Sequence, residues 1–299
     1  MRRNPFFDFS ELRPNRTPFV ATEGVSDTAA DREFEFTDRD FNRIRELIIQ
    51  FAGISLSTSK QNMVYSRLSK RLRATGHVRF CDYLDGLNGR HSAEWEQFVN
   101  ALTTNLTSFY REAHHFPELA DYLLSLKDRP RIELWCCASS TGEEPYTMAI
   151  TAMEAFKSMT PPVRILATDI DTRVLAIARA GIYKTEQVEK IPPDILKRYF
   201  IKGTGTNEGV FKVKPELQAL MNFRPLNLLD RSWPIRSGFD AIFCRNVLIY
   251  FDKDVQLKIL QRFSGLLTGS ALLFAGHSEN FSMAHALFKL KSKTIYEKI

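Results

Sequence analysis

Two hydrophobic periods divide the chain. Over residues 37–102 apolar residues recur at helical spacing, whereas from residue 132 onward short continuous apolar runs alternate with helical stretches. In the first part, Thr37 followed by Asp38 and Asp40 reads as a helix start. Phe41, Ile44, Ile48 and Phe51 form its apolar stripe, and Gly53 its C-cap. A second helix is expected over about 60–75, with Val64, Leu68 and Leu72 on one face, and two more over about 80–87 and 93–102. These predict an all-α N-terminal domain over 37–125 and a linker over 126–131. In the second part, strands are expected at 132–138, 163–168, 221–225, 239–244 and 271–275, with helices at about 145–157, 171–180 and 254–267. A late strand over 292–298 would lie at the sheet edge. Such alternation is the mark of an α/β, doubly wound, mostly parallel sheet, here over 132–299. The stretch 182–220 is too long for a plain connection. Its segment 202–213 reads as a strand pair around a Gly-rich turn, so a small inserted β-subdomain is expected there. Residues 1–36 carry Pro5, Pro14 and Pro18 and no sustained period, as a disordered tail would.

Composition narrows the class. Hydrophobic residues at 44% and charged ones at 25% fit a soluble globular chain with a sizeable core. The start, MRRNPFFDFS, lacks a signal-peptide core, and no apolar run is long enough to insert in a membrane. The four cysteines, Cys81, Cys136, Cys137 and Cys244, form no CxxC pair and no metal-type spacing, which fits a reducing, cytoplasmic setting and no metal. The net charge of +6 implies an anionic partner without specifying nucleic acid. Part of that charge is concentrated: Lys60, Arg67, Lys70, Arg71, Arg73 and Arg79 fall in one stretch without an acidic residue between them. Arg67, Lys70 and Arg71 share one helical patch. Either a solvated face or an anionic docking surface has this pattern, and the missing countercharge favours docking.

The candidate chemistry centres on RIELWCCASSTGEEPYTM, residues 131–148: a buried strand, a turn of small residues and a helix start. That arrangement cradles nucleotides in open α/β sheets. No GxGxxG is present, and Glu143-Glu144 would repel a pyrophosphate at that helix start. A cationic, hydroxyl-rich ligand fits better, and S-adenosyl-L-methionine has a sulfonium, an α-ammonium and a ribose. Asp169, at the end of the second strand, is placed to accept ribose hydroxyls, while Asp171 caps the next helix. Arg245 and Asn246 fall just past the fourth strand, at the edge where ligands bind. The Pro-Pro-aromatic turn of nucleic-acid amino-methylases is missing there, so no nucleic acid is expected. His114-His115 are poor metal ligands, and His277 reads as a hydrogen-bonded loop residue.

Five segments carry a resemblance to a known family: ALTTNLTSFYREAHHF (101–116), ASSTGEEPYT (138–147), ATDIDTRVLAIARAGIY (167–183), DAIFCRNVLIYFD (240–252) and FAGHSENF (274–281). From about residue 37 onward the chain resembles the CheR family, the methyltransferases that esterify glutamates of bacterial chemoreceptors. The resemblance implies a Rossmann-like S-adenosylmethionine methyltransferase fold, with S-adenosyl-L-homocysteine as product and no metal. It implies that Asn105, Thr107, Arg111, Glu144, Asp169, the pair Asn227-Leu228 and the pair Arg245-Asn246 line the cofactor site. Tyr250 matches a tyrosine near the transferable methyl, so Arg111 and Tyr250 are the catalytic candidates. The partner implied is the cytoplasmic domain of methyl-accepting chemoreceptors, with the basic helix at Arg67, Lys70, Arg71 and Arg73 docking it. The turn at Gly203, Gly205 and Gly209 resembles the loop of members that bind a pentapeptide at the receptor C-terminus. A monomer recruited to receptor arrays is expected. A cofactor-sensing adaptor without activity, or a methyltransferase of similar fold with another substrate, would carry many of the same motifs.

Overall fold

Thr37 opens the first helix through a reciprocal cap: its hydroxyl accepts the Asp40 N–H at 3.1 Å, and the Asp40 carboxylate accepts the Thr37 N–H at 3.0 Å. The computed structural model describes residues 32–87 and 92–299 and divides into two units, Met1–Thr103 and Thr104–Ile299. The first is all-α: α1 (Asp38–Ala52), α2 (Gln61–Thr75), α3 (Phe80–Asp85) and α4 (Ala93–Leu102). Gly53 and Gly76 end α1 and α2 in the left-handed conformation. Ile44, Ile48, Val64, Leu68, Leu72 and Phe98 are fully buried between them. Each such side chain stabilises the unit by about 1.5–3 kcal/mol. Ala52 closes the α1 stripe where Phe51 was expected; Phe51 is half-buried, its ring edge-on to Trp95.

The expected tail over 1–36 lies outside the described residues as far as residue 31. Its last five residues are structured, contrary to expectation. Phe34 is buried, the Phe36 ring sits edge-on to Phe41 and tilted against Tyr65 and Phe80, and Glu33 pairs with Arg73. Apolar anchors spaced by two, with no helical repeat, left no period for the sequence to show.

The second unit starts upstream of the expected boundary at 125. Here α5 (His115–Ser125) packs along α6 (Glu143–Phe156), so it belongs with the sheet rather than with the helical unit. The chain then runs β1 (Ile132–Cys136), α6, β2 (Val163–Asp169), α7 (Thr172–Ala180), β3 (Ile182–Lys184), α8 (Thr185–Val188), α9 (Pro193–Tyr199), β4 (Phe200–Lys202), β5 (Val210–Val213) and α10 (Pro215–Gln218). It continues through β6 (Met221–Pro225), β7 (Phe239–Cys244), α11 (Lys253–Leu266), β8 (Leu267–Ala275), β9 (Phe288–Ser292) and β10 (Ile295–Lys298).

Seven strands form one sheet in the order β6-β2-β1-β7-β8-β10-β9. The first five are mutually parallel, and β10 and β9 close the far side antiparallel. Every residue of β7 is buried, as a central parallel strand requires. The late strand sits one place inside the edge, because β9, largely exposed and polar, lies outside it. From β1 the chain winds outward through β2 to β6, then returns to β7 on the other side. The order therefore reverses between β1 and β7, and a crevice opens beyond their carboxyl ends.

A separate antiparallel sheet, β3-β5-β4, occupies the stretch before β6. The expected strand pair is β4 and β5; β3, three residues long, gave no readable period. Their turn needs its glycines: Gly205 and Gly209 have φ of +59° and +83°, and a Cβ at Gly203 would meet the Asn207 carbonyl at 1.9 Å.

Candidate functional site

The turn after β1 is built by close approach. Gly142, the N-cap of α6, has φ +100°, and a Cβ there would stand 2.7 Å from the Tyr183 hydroxyl and 2.9 Å from Ala178 Cβ. Ser140 is also left-handed, at φ +48°. Its N–H donates to Asp169 Oδ2 at 2.8 Å, while the Asp171 N–H donates to Oδ1 at 2.9 Å. Asp169 is thus fixed at the end of β2. Burial pushes its carboxyl up to about 6, against the opposing pull of those two N–H groups. Asp171 caps α7 as expected, accepting from Arg173 N–H at 3.0 Å, and its other oxygen accepts the Asn105 amide at 2.8 Å. The Ser140 hydroxyl donates to the Asn105 carbonyl at 2.9 Å, so Asn105 is tied to both turns.

The two acids at the start of α6 diverge. Glu143 faces away from the crevice, accepting from the Thr141 hydroxyl at 2.6 Å and the Gln187 amide at 3.1 Å. Glu144 accepts from Arg245 Nη1 at 2.8 Å and from the Cys136 thiol at 3.3 Å. Burial raises its carboxyl, and the guanidinium opposes that rise. Arg245 is 5% exposed and serves a second acid: Glu112 Oε2 lies 3.3 Å from its Nη2. That nitrogen also donates to the Arg111 carbonyl at 2.5 Å. Burial alone would raise Glu112, but Arg245, His277 and Asn246 hold it down at about 2. Two carboxylates therefore share one buried guanidinium. Glu112 Oε2 accepts no hydrogen bond and Arg245 Nε donates none among the described residues.

Asn246 has φ +59°, the left-handed region that asparagine enters more readily than most side chains. What holds it is Glu279, 6% exposed, whose oxygens accept four N–H groups: Gly276 at 2.6 Å, Asn246 at 3.0 Å, Val247 at 3.1 Å and Leu248 at 2.8 Å. A Cβ at Gly276 would meet Asn246 Nδ2 at 2.5 Å, so only glycine allows the β7 and β8 loops to come this close. Tyr110, Glu112, Ser140 and Asn246 all have φ near +50° to +60°. Backbone strain is concentrated around the crevice.

The remaining candidates vary in their fit. Arg111 is half-buried, its Nη1 donating to the Leu106 carbonyl at 2.8 Å, and Thr107 lies half-buried on the same loop. Leu226 N–H donates to the Asp169 carbonyl at 3.0 Å, bringing Asn227-Leu228 to the end of β2. Asn227 Oδ1 accepts the Leu229 N–H at 2.9 Å. The Leu228 side chain is in the core with Trp135 and Cys244, so only its backbone is available to a ligand. Tyr250 ends the 3-10 turn Leu248–Tyr250, half-exposed beyond β7. His277 pairs with Glu112 at 2.7 Å, a loop histidine engaged as the sequence implied. Glu112 and Glu279 were missed, although both lie inside motif segments. Their signal was an acid beside left-handed turns, which no periodicity displays. Among the described residues no group of three or more His, Cys, Asp or Glu side chains could hold a metal.

The basic stretch of the helical unit is less bare than its sequence. Arg67 Nη1 donates to the Thr103 carbonyl at 2.7 Å and the Ala101 carbonyl at 3.3 Å, capping the end of α4. Arg71 makes a bidentate pair with Glu94 at 3.0 and 2.6 Å, Arg73 pairs with Glu33, and Arg79 with Asp82. The expectation of cations without countercharge is therefore corrected: the acids come from outside residues 60–79, Glu33 and Glu94 by packing and Asp82 from the turn just beyond. Lys60 and Lys70 stay exposed and form no ion pair among the described residues.

This geometry can be set beside known proteins. The family pattern "CheR methyltransferase, SAM binding domain" matches residues 105–296, and "CheR methyltransferase, all-alpha domain" matches 39–103. Chemotaxis protein methyltransferase 2 of Pseudomonas aeruginosa is 49% identical over 278 residues, 93% of this chain and 99% of that protein. The chemotaxis protein methyltransferase of Klebsiella aerogenes is 52% identical over 262 residues, 87% of this chain and 89% of that one. That of Escherichia coli is 49% identical over 261 residues, covering 87% and 91%. With both family domains present in order and half the residues shared over nearly full length, the chain belongs to the CheR methyltransferase family.

Proposed function

We propose that the chain transfers a methyl group from S-adenosyl-L-methionine to glutamate carboxylates of bacterial chemoreceptors. The observation that carries the cofactor is the charge at the crevice. Two buried carboxylates, Glu112 and Glu144, share a single guanidinium, and one carboxylate oxygen has no hydrogen-bond donor. A cationic ligand group completes that set, whereas a phosphate would be repelled. The α-ammonium is assigned to Glu144, the ribose hydroxyls to Asp169, and the remaining contacts to Asn105, Thr107, Asn227, Asn246 and the Leu228 backbone. When bound, S-adenosyl-L-methionine supplies an electrophilic methyl on a positively charged sulfur and leaves as S-adenosyl-L-homocysteine.

The chain's own work is placement. A glutamate acceptor has an unperturbed pKa of ~4.3 and arrives ionised, so no general base is needed. Arg111 and Tyr250 orient the incoming carboxylate without neutralising it, and the crevice excludes the water around it. Placement of this kind is worth up to ~7–11 kcal/mol of barrier. The exposed lysines of the helical unit, Lys60 and Lys70, are cations available to dock an acidic receptor helix. The β4 edge beside Gly203, Gly205 and Gly209 offers β-addition to a receptor's C-terminal pentapeptide, which would tether the enzyme and raise its effective concentration.

The test is transfer of radiolabelled methyl to chemoreceptor membranes, with and without the receptor's last five residues. Base-labile label that falls on tail removal supports both ester formation and the tether. Label indifferent to the tail overturns the tether alone. No label, with cofactor binding established by titration, overturns the enzymatic reading in favour of a cofactor-sensing adaptor.

A further inference from the structure

Beyond β8 the chain encloses a second concavity of about 640 Å³ between the loop 276–281 and the β9–β10 hairpin. Its walls include His277, Asn280, His285, Lys289, Leu290 and Lys293. Glu279 is the one carboxylate among its described lining residues, and all four N–H groups facing it are satisfied by it. Lys289 pairs with Glu297, its cross-strand neighbour, at 3.5 Å. Lys293, exposed at the hairpin turn, has no ion pair among the described residues. Its field reaches inward: His114 is held below its ordinary range first by burial and next by the Lys293 ammonium. The groove is therefore a positive concavity with an apolar contact, Leu290, which is 61% exposed.

The groove also adjoins the crevice. His277, on its rim, bonds Glu112, and Glu279, in its floor, holds the backbone of Asn246 to Leu248 just before Tyr250. One loop thus forms a groove wall and restrains Glu112 and residues 246–248, the chain neighbours of the catalytic candidates. Lysines on an edge strand ordinarily serve to deter pairing with another chain. That would account for Lys289 and Lys291 on β9. It does not account for imidazoles from two separate segments lining the same hollow.

We propose that this groove seats an acidic segment of the protein substrate beside the carboxylate to be methylated. Lys289 and Lys293 meet its carboxylates, and Leu290 meets its apolar side chains. The inference rests on the carboxyl-methylation reading above. A chain that presents a glutamate for esterification is anionic at that point, and the groove supplies complementary charge one loop away.

The experiment is fluorescence anisotropy with a labelled acidic peptide spanning a chemoreceptor methylation segment, S-adenosyl-L-homocysteine being present. It compares the unaltered protein, Lys289→Glu/Lys293→Glu, and Lys258→Glu, an exposed lysine on α11 outside the groove. The double variant is expected to bind at least about tenfold more weakly, with Lys258→Glu near the unaltered value. S-adenosyl-L-homocysteine affinity should be the same in all three. Equal peptide binding by the double variant overturns the proposal, and so does an equal loss in Lys258→Glu, which would show a net-charge effect. If the double variant misfolds, Lys289→Gln/Lys293→Gln replaces it, with the same ordering expected. Methyl transfer to the same peptide separates the two readings: groove-dependent binding without transfer overturns carboxyl methylation alone. Transfer with groove-independent binding overturns the groove alone.

Discussion

Glu279→Gln tests whether the crevice is held by one buried carboxylate. The side chain is 6% exposed and keeps its shape on substitution, so no cavity forms. One oxygen accepts from Gly276 and Asn246, the other from Val247 and Leu248. In either orientation the new amide turns an NH2 toward two of these N–H groups, losing two charge-assisted bonds and leaving two buried donors unpartnered. At about 1.5–3 kcal/mol each, that is a loss of ~3–6 kcal/mol. Against it stands the relief of an ionised group that burial disfavours, for burial raises the Glu279 carboxyl despite the four N–H groups. The net expectation is ~2–4 kcal/mol of destabilisation. For a unit of this size that lowers the unfolding midpoint by roughly 2–4 °C per kcal/mol. Because the Asn246 N–H is one of the four that Glu279 holds, S-adenosyl-L-homocysteine affinity should fall as well. Thermal unfolding followed by calorimetric titration measures both. A midpoint within 1 °C of the unaltered protein, together with unchanged affinity, would falsify the argument that Glu279 restrains the β7 loop.

Other outcomes follow from the same geometry. Burial pushes the folded-state Asp169 carboxyl up to about 6, above the ordinary aspartate value of ~3.9, so the stability its protonated form contributes is present below the lower value and lost as pH rises through 6. Asp169→Asn should therefore abolish the fall in stability as pH rises through 6, while leaving one of the two N–H donors, Ser140 or Asp171, unpartnered at every pH, and should bind the cofactor less tightly; pH-dependent unfolding and titration check each half. In the unaltered protein, cofactor affinity should decline below about pH 6 as Asp169 takes up its proton, readable as proton uptake or release by calorimetry in buffers of different ionisation enthalpy. Tyr250→Phe should slow turnover about tenfold or more with S-adenosyl-L-homocysteine affinity intact, and a pure affinity loss would remove Tyr250 from the reacting atoms. Lys60→Glu/Lys70→Glu should raise KM for intact receptor without changing unfolding, whereas Arg71→Ala, which breaks the half-buried pair with Glu94, should cost ~1 kcal/mol of stability in the helical unit; the reverse pattern would make Arg71 the docking cation.

How much of this was readable without coordinates depended on the kind of force involved. The sheet was legible because burying a strand on both faces demands a continuous apolar run, and 239–244 and 163–168 stand almost unchanged in the fold. Thr37, Gly53 and Asp171 were legible because a cap is satisfied within four residues of itself. Whatever depended on partners far along the chain was not. Arg71 looked unopposed because Glu94 reaches it only after α2 and α4 pack, and α5 was assigned to the wrong unit because its helical period says nothing of which core it joins. The site shows the same division. Asp169, Arg245 and Asn246 end strands, and the ends of parallel strands announce themselves, whereas Glu112 and Glu279 act through backbone N–H groups and a guanidinium more than thirty residues away. Their importance follows from electrostatics in a closed space. A buried carboxylate survives only where donors converge on it, and the loops that bring those donors are the ones a cationic ligand must also reach. The acids that a sequence reader passes over are thus the ones that fix the residues a sequence reader finds.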